Sequence, residues 1–205
     1  QYHHRPTNLA KQTPEQFAQQ QGLLPYAFRN WLTYLTNGNY PLLKTPVKNV
    51  EGYASIYAWT GEEEGSPTFT LNGNMAPRTL GSITYPSLTF GATLGKYGVI
   101  LAWKSPIDGV VRVQGGLVGV DKQDREGTRW SISKRTLAGE EVLTRGTAQP
   151  QSETPFSSGV GSVELLSVSV HKGDTLQLKI LPNASSPHQT VIIDLNITER
   201  DGKRA

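Results

Sequence analysis

From about residue 50 onward, apolar and polar residues alternate with a period of two, and this pattern constrains the fold more than any other feature of the sequence. Leu176, Leu178 and Ile180 take every second position of one stretch, and Val191 and Ile193 begin the same pattern in the next. Successive side chains of a strand point to opposite faces, so each stretch predicts a strand with one face on a core. The predicted strands are Tyr53–Trp59, Thr68–Leu71, Val99–Lys104, Val110–Val120, Arg129–Arg135, Ser162–Val170, Thr175–Leu181 and Thr190–Thr198.

Clusters of Gly, Pro, Asn and Ser separate these strands, and no helical periodicity lies between them. About eight strands without interleaved helices predict an all-β fold, an antiparallel β-sandwich with jelly roll as the leading topology. The strand Val99–Lys104 is apolar on nearly both faces, so we expect it in the middle of a sheet. Trp103 lies in that strand and Trp130 alternates with Ile132, which predicts that both rings are in the core.

The first 49 residues follow a different pattern. Thr13-Pro14-Glu15-Gln16 is typical of a helix start, and Gly22 of its end. A second helix is predicted from Pro25 to Leu35. Its apolar face consists of Phe28, Trp31, Leu32 and Leu35. Two such short helices cannot form a core alone, so we expect residues 1–49 to be a helical lead-in and linker packed on a sandwich of residues 50–205.

Composition excludes several classes of function. The chain has no cysteine, which rules out disulfides, thiol nucleophiles and c-type haem attachment within it. It has no run of about eighteen apolar residues, so no membrane insertion is expected. The net charge of +3 is a mild excess without a basic block, which disfavours nucleic acid as a partner. The chain begins at Gln1, and we interpret it as a mature form or a cut domain.

Motifs of catalysis are missing from the sequence. It contains no Gly-x-Ser-x-Gly elbow, His-Glu-x-x-His, P-loop or dinucleotide-binding glycine pattern. Glu62, Glu63 and Glu64 are consecutive in a turn, which favours a solvated loop over an acid/base pair. Asp121, Asp124 and Glu126 share one loop, but their spacing matches no strict calcium pattern, and Lys122 and Arg125 favour local ion pairs. We predict no enzyme, no cofactor and no metal.

Sugar binding needs aromatic faces for stacking and planar polar groups for hydroxyls. In the first predicted strand, Tyr53, Tyr57 and Trp59 share one face. This face is either an exposed platform for a sugar or part of the core. Arg112, Gln114 and Arg129 project away from the apolar rows of their strands. If those strands lie in one sheet, the three form a basic face for a glycan, and the alternative is an ordinary solvated sheet face.

Three further motifs occur in order along the chain: Leu101–Val113 (LAWKSPIDGVVRV), Glu126–Ile132 (EGTRWSI) and His171–Leu176 (HKGDTL). Together with the Gly22–Leu35 segment they resemble a β-rich module of large exported planctomycete proteins. Those proteins fuse a cytochrome-c-like domain to planctomycete-specific domains. The family's D-x-D loop is incomplete here, since Gly119-Val120-Asp121 supplies one of its two acids. The resemblance implies a carbohydrate-binding-like sandwich in an exported protein that handles polysaccharide.

The sequence therefore predicts a non-catalytic carbohydrate-binding module. It would hold an exported multidomain protein on an extracellular polysaccharide, with an acidic polysaccharide as one option, and its partners would be the glycan and the neighbouring domains. The alternative is a structural or interaction spacer with no ligand of its own. An exposed aromatic cluster favours the first hypothesis, and fully buried tryptophans favour the second.

Overall fold

A computed structural model describes residues 46–48, 50–60, 67–95, 98–121, 126–183 and 189–199. The described chain is built almost wholly of antiparallel strands, as the alternation predicts. They are β1 Pro46–Lys48, β2 Ile56–Thr60, β3 Thr68–Asn72, β4 Arg78–Leu80, β5 Ile83–Tyr85, β6 Thr89–Leu94, β7 Val99–Lys104, β8 Gly109–Gly119, β9 Thr128–Thr136, β10 Gly139–Ala148, β11 Glu153–Pro155, β12 Val168–Val170, β13 Thr175–Leu181 and β14 Gln189–Glu199. Both helices predicted between Pro14 and Leu35 lie outside the described residues.

Two sheets pack face to face. The large sheet has the order β1-β2-β3-β6-β14-β8-β11, with β12 also paired to β8, and the small sheet has the order β10-β9-β13-β7. The strands β4 and β5 form a separate hairpin. Every described strand pair is antiparallel. The predicted antiparallel sandwich is confirmed, and the jelly-roll topology stays a prediction.

The core between the sheets takes one side chain of every two. Leu176, Leu178 and Ile180 of β13 are buried there, as are Val191 and Ile193 of β14. Trp103 and Trp130 are also in this core, as predicted, and the ring of Trp130 meets that of Phe156 edge to face at 5.1 Å. The alternation of the sequence thus places the core correctly. A cavity of about 10 Å³ between Val113, Ile132, Leu195 and Ile197 is no larger than the space one water needs.

Two expectations are corrected by the topology. The strand Val99–Lys104 has the predicted bounds but lies at an edge of the small sheet, not in its middle. The stretch Ser162–Val170, predicted as one strand, is a 3-10 helix over Ser162–Leu166 followed by β12. Gly161, with a φ of 85°, begins that turn. Leu165 is buried, and the next buried position is Val168, three residues on, so the apolar run does not keep a two-residue period.

The large sheet also begins earlier than expected. Pro46–Lys48 falls in the predicted linker, yet it pairs with β2 from Pro46 opposite Trp59 to Lys48 opposite Tyr57. Two more 3-10 helices occur in the described chain, at Val50–Gly52 and Phe156–Ser158.

Candidate functional site

The predicted aromatic face of β2 points into the sandwich. Tyr57 lies opposite Leu71 and Trp59 opposite Phe69 on β3. Tyr57 is buried, and this burial raises the pKa of its hydroxyl. Trp59 is half-buried against the core, with its ring centroid 6.2 Å from that of Phe69. These two rings are therefore packing residues, which is the alternative that the sequence left open, and the pair forms no exposed platform.

Tyr53 is separated from that face because it precedes β2 instead of belonging to it. Glu51 and Gly52 both have positive φ, of 49° and 80°, so the chain turns sharply just before Tyr53. The ring is 37% exposed, and the guanidinium carbon of Arg78 lies 5.5 Å from its centroid. This cation–π contact fixes the ring against the β4–β5 hairpin. Tyr53 thus presents an aromatic surface beside the hairpin, without Tyr57 or Trp59.

The three predicted polar residues do not share a face. Arg112 and Gln114 are exposed on β8 in the large sheet, with Val111 and Val113 on its inward side. Arg129 is exposed on β9 in the small sheet, where its Nη2 donates to the carbonyl oxygen of Pro182 at 3.4 Å. The outward sides of the two sheets are opposite surfaces of the sandwich. The predicted joint basic face of Arg112, Gln114 and Arg129 is therefore not formed.

Arg112 and Gln114 instead meet residues of β14. The register places Gln114 opposite Asn196 and Arg112 opposite Thr198, and Asp194 lies one outward position further along. Arg112, Gln114, Asp194 and Asn196 are all exposed on the outward side of the large sheet, and we call these four residues the polar strip. Directly opposite residues have Cβ atoms about 5 Å apart. Asn196 Nδ2 donates to Asp194 Oδ1 at 2.9 Å, which orients both groups.

The alternation that begins with Val191 and Ile193 predicts an outward side for Asp194 and Asn196, but it does not predict that they form a site. The missing information is that β14 is the direct neighbour of β8. The Cα atoms of the two strands are in register although about 70 residues of chain separate β8 from β14. Alternation identifies the face of each residue, and only the strand order brings the two outward rows together.

The β4–β5 hairpin covers the outward side of the large sheet next to the polar strip. Tyr85 is buried beneath it, and a Cβ on Gly91 would lie 2.5 Å from Cε1 of that ring and 3.3 Å from Cδ1 of Ile192. The glycine therefore allows the tyrosine ring to lie directly on the sheet. Because Ile192 is two residues before Asp194, the hairpin forms a wall along one side of the strip.

Asn72 holds the base of this hairpin. Its side chain is fully buried, and the two hydrogens of its Nδ2 are shared among the carbonyl oxygens of Ala76, Tyr85 and Pro86, at 3.1, 3.0 and 2.7 Å from the nitrogen. Its Oδ1 accepts from the backbone N–H of Asn74 at 3.0 Å. The amide of Asn72 thus joins both ends of the β4–β5 hairpin to β3, so the hairpin has a fixed position on the sheet.

The other candidate chemistry is local and structural. Asp108 Oδ1 accepts from the backbone N–H of Lys172 at 3.0 Å and lies 3.3 Å from Nδ1 of His171. These contacts tie together two loops, one within the motif Leu101–Val113 and one within the motif His171–Leu176. Within the described ranges, no group of three or more His, Asp or Glu residues is placed to hold a metal ion. The acids Glu62, Glu63, Glu64 and Asp124 lie outside those ranges. Of the helices that the structure describes, none is long and apolar enough to span a bilayer.

No family model and no curated protein matches this chain. Solved structures resemble it at low identity. The CBM22-1 xylan-binding domain from Paenibacillus barcinonensis Xyn10C is 12% identical, covers 74% of this chain and 88% of its own, and gives a TM-score of 0.36. The CBM22-1–GH10 modules of Clostridium thermocellum endo-1,4-β-D-xylanase 10B, complexed with xylohexaose, are 13% identical, cover 71% and 24%, and give 0.32.

An exo-β-agarase is 11% identical, covers 80% of this chain and 24% of its own, and gives a TM-score of 0.38. The chain thus spans about a quarter of the length of the xylanase and of the agarase. At these TM-scores the likeness carries no argument about a ligand, and the function has to be argued from the geometry of this chain.

Proposed function

We propose that this domain is a non-catalytic carbohydrate-binding module that binds glycan through the polar strip. The strip supports this because it places a guanidinium, two primary amides and a carboxylate side by side on an exposed sheet surface. Such planar groups donate and accept in pairs, which matches the neighbouring hydroxyls of a pyranose ring. In this role the domain holds an exported multidomain protein on an extracellular polysaccharide.

The wall supplies the apolar part of the contact. Antiparallel pairing of Phe90 with Ile193 puts the next position, Thr89, beside Asp194. Leu88 directly precedes Thr89 and is 55% exposed. It is held in a left-handed conformation with a φ of 55°, and its N–H donates to the carbonyl oxygen of Asn74. A sugar ring on the strip would therefore meet this leucine with its C–H face.

The charge of the strip favours a neutral polysaccharide over an acidic one. Arg112 is its one cation and Asp194 its one anion, and Arg129 lies on the opposite surface. A carboxylated or sulfated chain would need a second cation and would be repelled by Asp194. The acidic option of the sequence analysis therefore becomes the less favoured ligand.

Affinity electrophoresis of the full chain on neutral and acidic polysaccharides, xylan and agarose among them, tests the proposal. We expect retardation on at least one neutral polysaccharide. Gln114→Ala and Asn196→Ala should each weaken binding by about five- to thirtyfold, since each removes one or two net hydrogen bonds of about 1 kcal/mol. Arg129→Ala on the opposite surface is the matched control and should bind normally. An equal loss of affinity in all three variants would show that the glycan does not bind at the polar strip.

The second candidate is the interaction spacer, and one surface favours it. Val142, Val160, Val163 and Leu166 are all exposed beside β10, an edge strand of the small sheet. Val160 already bridges Arg145 of that strand through two backbone hydrogen bonds of 2.9 and 3.2 Å. A flanking domain could cover these side chains. If no polysaccharide retards the chain, the spacer role replaces the sugar-binding role.

A further inference from the structure

The outward side of the small sheet carries a local excess of positive charge. Leu176, Leu178 and Ile180 of β13 point into the core, so the positions between them, and the residues aligned with those positions, are on the outward side. In the four strands of this sheet, the outward side has five cations and one anion, Glu140. The cations, which we call the basic face, are Lys104, Arg129, Arg135, Arg145 and Lys179. The whole chain has 20 Lys and Arg residues against 17 Asp and Glu, so this excess belongs to the surface and not to the composition.

Three arginines of the basic face follow the β9–β10 ladder, and all three are exposed. Arg129 and Arg135 are in β9, and Arg145 of β10 is opposite Ser131, which lies between them. Arg145 is therefore level with a position four residues from Arg135 and two residues from Arg129, offsets of roughly 13 and 7 Å along the strand. The three arginines thus form a line about 20 Å long on an open surface.

The one acid of this side offsets only part of the charge. Glu140 is opposite Arg135, and Nζ of Lys179 donates to its Oε1. This hydrogen bond and, more weakly, the charge of Arg135 lower the pKa of the Glu140 carboxyl. The carboxylate is therefore held at the Arg135 end of the line, and Arg145 and Arg129 follow with no further acid on the outward side of these four strands. Such a surface attracts anions.

We propose that the basic face binds an anionic polysaccharide, whose sulfate or carboxylate groups pair with the guanidiniums of Arg129, Arg135 and Arg145. A guanidinium presents a planar fork of N–H donors that matches two oxygens of such a group. The contact of Arg129 Nη2 with the carbonyl oxygen of Pro182 uses one of the five donors of that side chain. This site is on the opposite surface from the polar strip and does not depend on it.

The spacing of the arginines favours a polysaccharide over a nucleic acid. Duplex DNA carries one charge per about 1.7 Å and a single strand one per about 3.4 Å, so cations this far apart would neutralise few phosphates. Uncharged residues, Val142 and Ser133, lie between the rows of Arg135 and Arg145. The outward side of these four strands also has no aromatic ring for stacking on a base. A chain whose anionic groups are separated by uncharged sugar surface matches this pattern.

A membrane surface is the less favoured anionic partner. Within the four strands, Val142 is the exposed large apolar side chain of the outward side. Peripheral binding to a bilayer depends on buried apolar area as well as on attraction to anionic lipids, and one valine supplies little of it.

Affinity electrophoresis of the full chain in gels of dextran sulfate, carboxymethyl dextran and unmodified dextran tests the proposal, because the three polymers share one backbone. We expect both anionic polymers to retard the protein more than dextran does, and this difference should shrink as salt is added. Arg135→Gln and Arg145→Gln should each weaken binding to dextran sulfate by about two- to fivefold at low salt, the range of single exposed ion pairs. The double variant should lose roughly four- to twenty-five-fold.

Removal of the acid should have the opposite effect. Glu140→Gln frees Lys179 and removes the repulsion of the ligand, so we expect binding to dextran sulfate to tighten by about two- to fivefold at low salt. Glu153→Gln is the matched control, because it removes the same charge from an exposed position of β11 in the large sheet. A gain of affinity in Glu140→Gln alone separates a binding site from an effect of net charge.

Four outcomes would overturn the proposal. Dextran sulfate that retards the chain no more than dextran would show that the face binds no polyanion. Equal gains in Glu140→Gln and Glu153→Gln would show an effect of net charge only. A loss in Arg112→Gln as large as that of the double variant would place the polymer on the polar strip.

The fourth outcome concerns phosphate ligands. Duplex DNA or phosphatidylserine vesicles that displace the protein from dextran sulfate at a lower concentration of charge would replace the polysaccharide as the ligand. Urea midpoints show that each variant is folded. Retardation on neutral xylan or agarose, which tests the polar strip, is measured separately, so failure of one site leaves the other standing.

Discussion

Aromatic side chains show how far a single residue could be assigned from sequence. Trp103 and Trp130 were placed correctly, because each alternates with apolar neighbours on one face of its strand. The same rule grouped Tyr57 with Trp59 correctly but did not tell which face of β2 is inward, since both faces are apolar enough to be buried. The inward face of β2 is identified by Phe69, a core residue of β3, because the pairing of β2 with β3 puts Trp59 opposite it.

Among the tryptophans of the described chain, Trp103 should contribute most to the free energy of unfolding. It is fully buried between the sheets, so Trp103→Ala leaves a large cavity and should lower the free energy of unfolding by about 3–5 kcal/mol. Urea denaturation of the full chain measures this. Trp59→Ala is the matched comparison, and we expect a smaller loss because that ring is half-buried. Equal losses at both positions would mean that the core is not centred on Trp103.

Asp108 gives the protein an acid-sensitive loop contact. The backbone N–H of Lys172 and then the ring of His171 donate to this carboxylate and lower its pKa. A lowered pKa means that the contact stabilises the fold above the unfolded pKa of about 3.9 and is lost as pH falls through the folded value. Melting temperatures from pH 6 to pH 2 should therefore drop less steeply in Asp108→Asn than in the parent. Glu153→Gln, which removes a carboxylate of β11 outside this contact, is the matched comparison.

Strands with a continuous apolar or alternating run were found with accurate bounds, and several less regular strands were missed. β7 and β13 have the predicted ends, whereas β6 and β10 were not predicted. β10 begins Gly-Glu-Glu and contains a bulge between Val142 and Thr144, where its register on β9 shifts. Such a bulge breaks the two-residue period locally. Only part of the polar strip was predicted. The local pattern shows which face of its strand a residue is on, whereas the order of the strands depends on contacts between residues distant in sequence.

The β4–β5 hairpin should depend on the absence of a side chain at position 91. In Gly91→Ala the new Cβ would be 2.5 Å from Tyr85, so the ring has to move off the sheet. We expect a loss of about 1–3 kcal/mol, as for overpacking elsewhere. Tyr85→Ala in the same chain should recover part of that loss, because it removes the clash. A double-mutant cycle by urea denaturation measures the coupling, and strictly additive effects would contradict the contact.

At the scale of the whole molecule, β14 is the strand that connects the two halves of the large sheet. It pairs with β6 on one side and with β8 on the other, so it joins a β1-β2-β3-β6 half to a β8-β11-β12 half. A chain ending at Pro182 lacks this strand and should lose cooperative thermal unfolding altogether, since both halves keep an unpaired buried edge. A chain ending at Glu199 is the control. A sharp transition in the shorter chain would refute the assigned strand order.

The position of β14 also sets when the domain can form during its own synthesis. Its partners leave the ribosome roughly 70 to 100 residues earlier, as the Thr93–Thr190 hydroxyl contact across 97 positions illustrates. Until β14 emerges, the two half-sheets have no partner between them, and their apolar faces stay open to other chains. Translation at about 5–20 residues per second makes that interval several seconds to about twenty. A factor that binds exposed β edges therefore meets the nascent domain in this interval, before the sandwich closes.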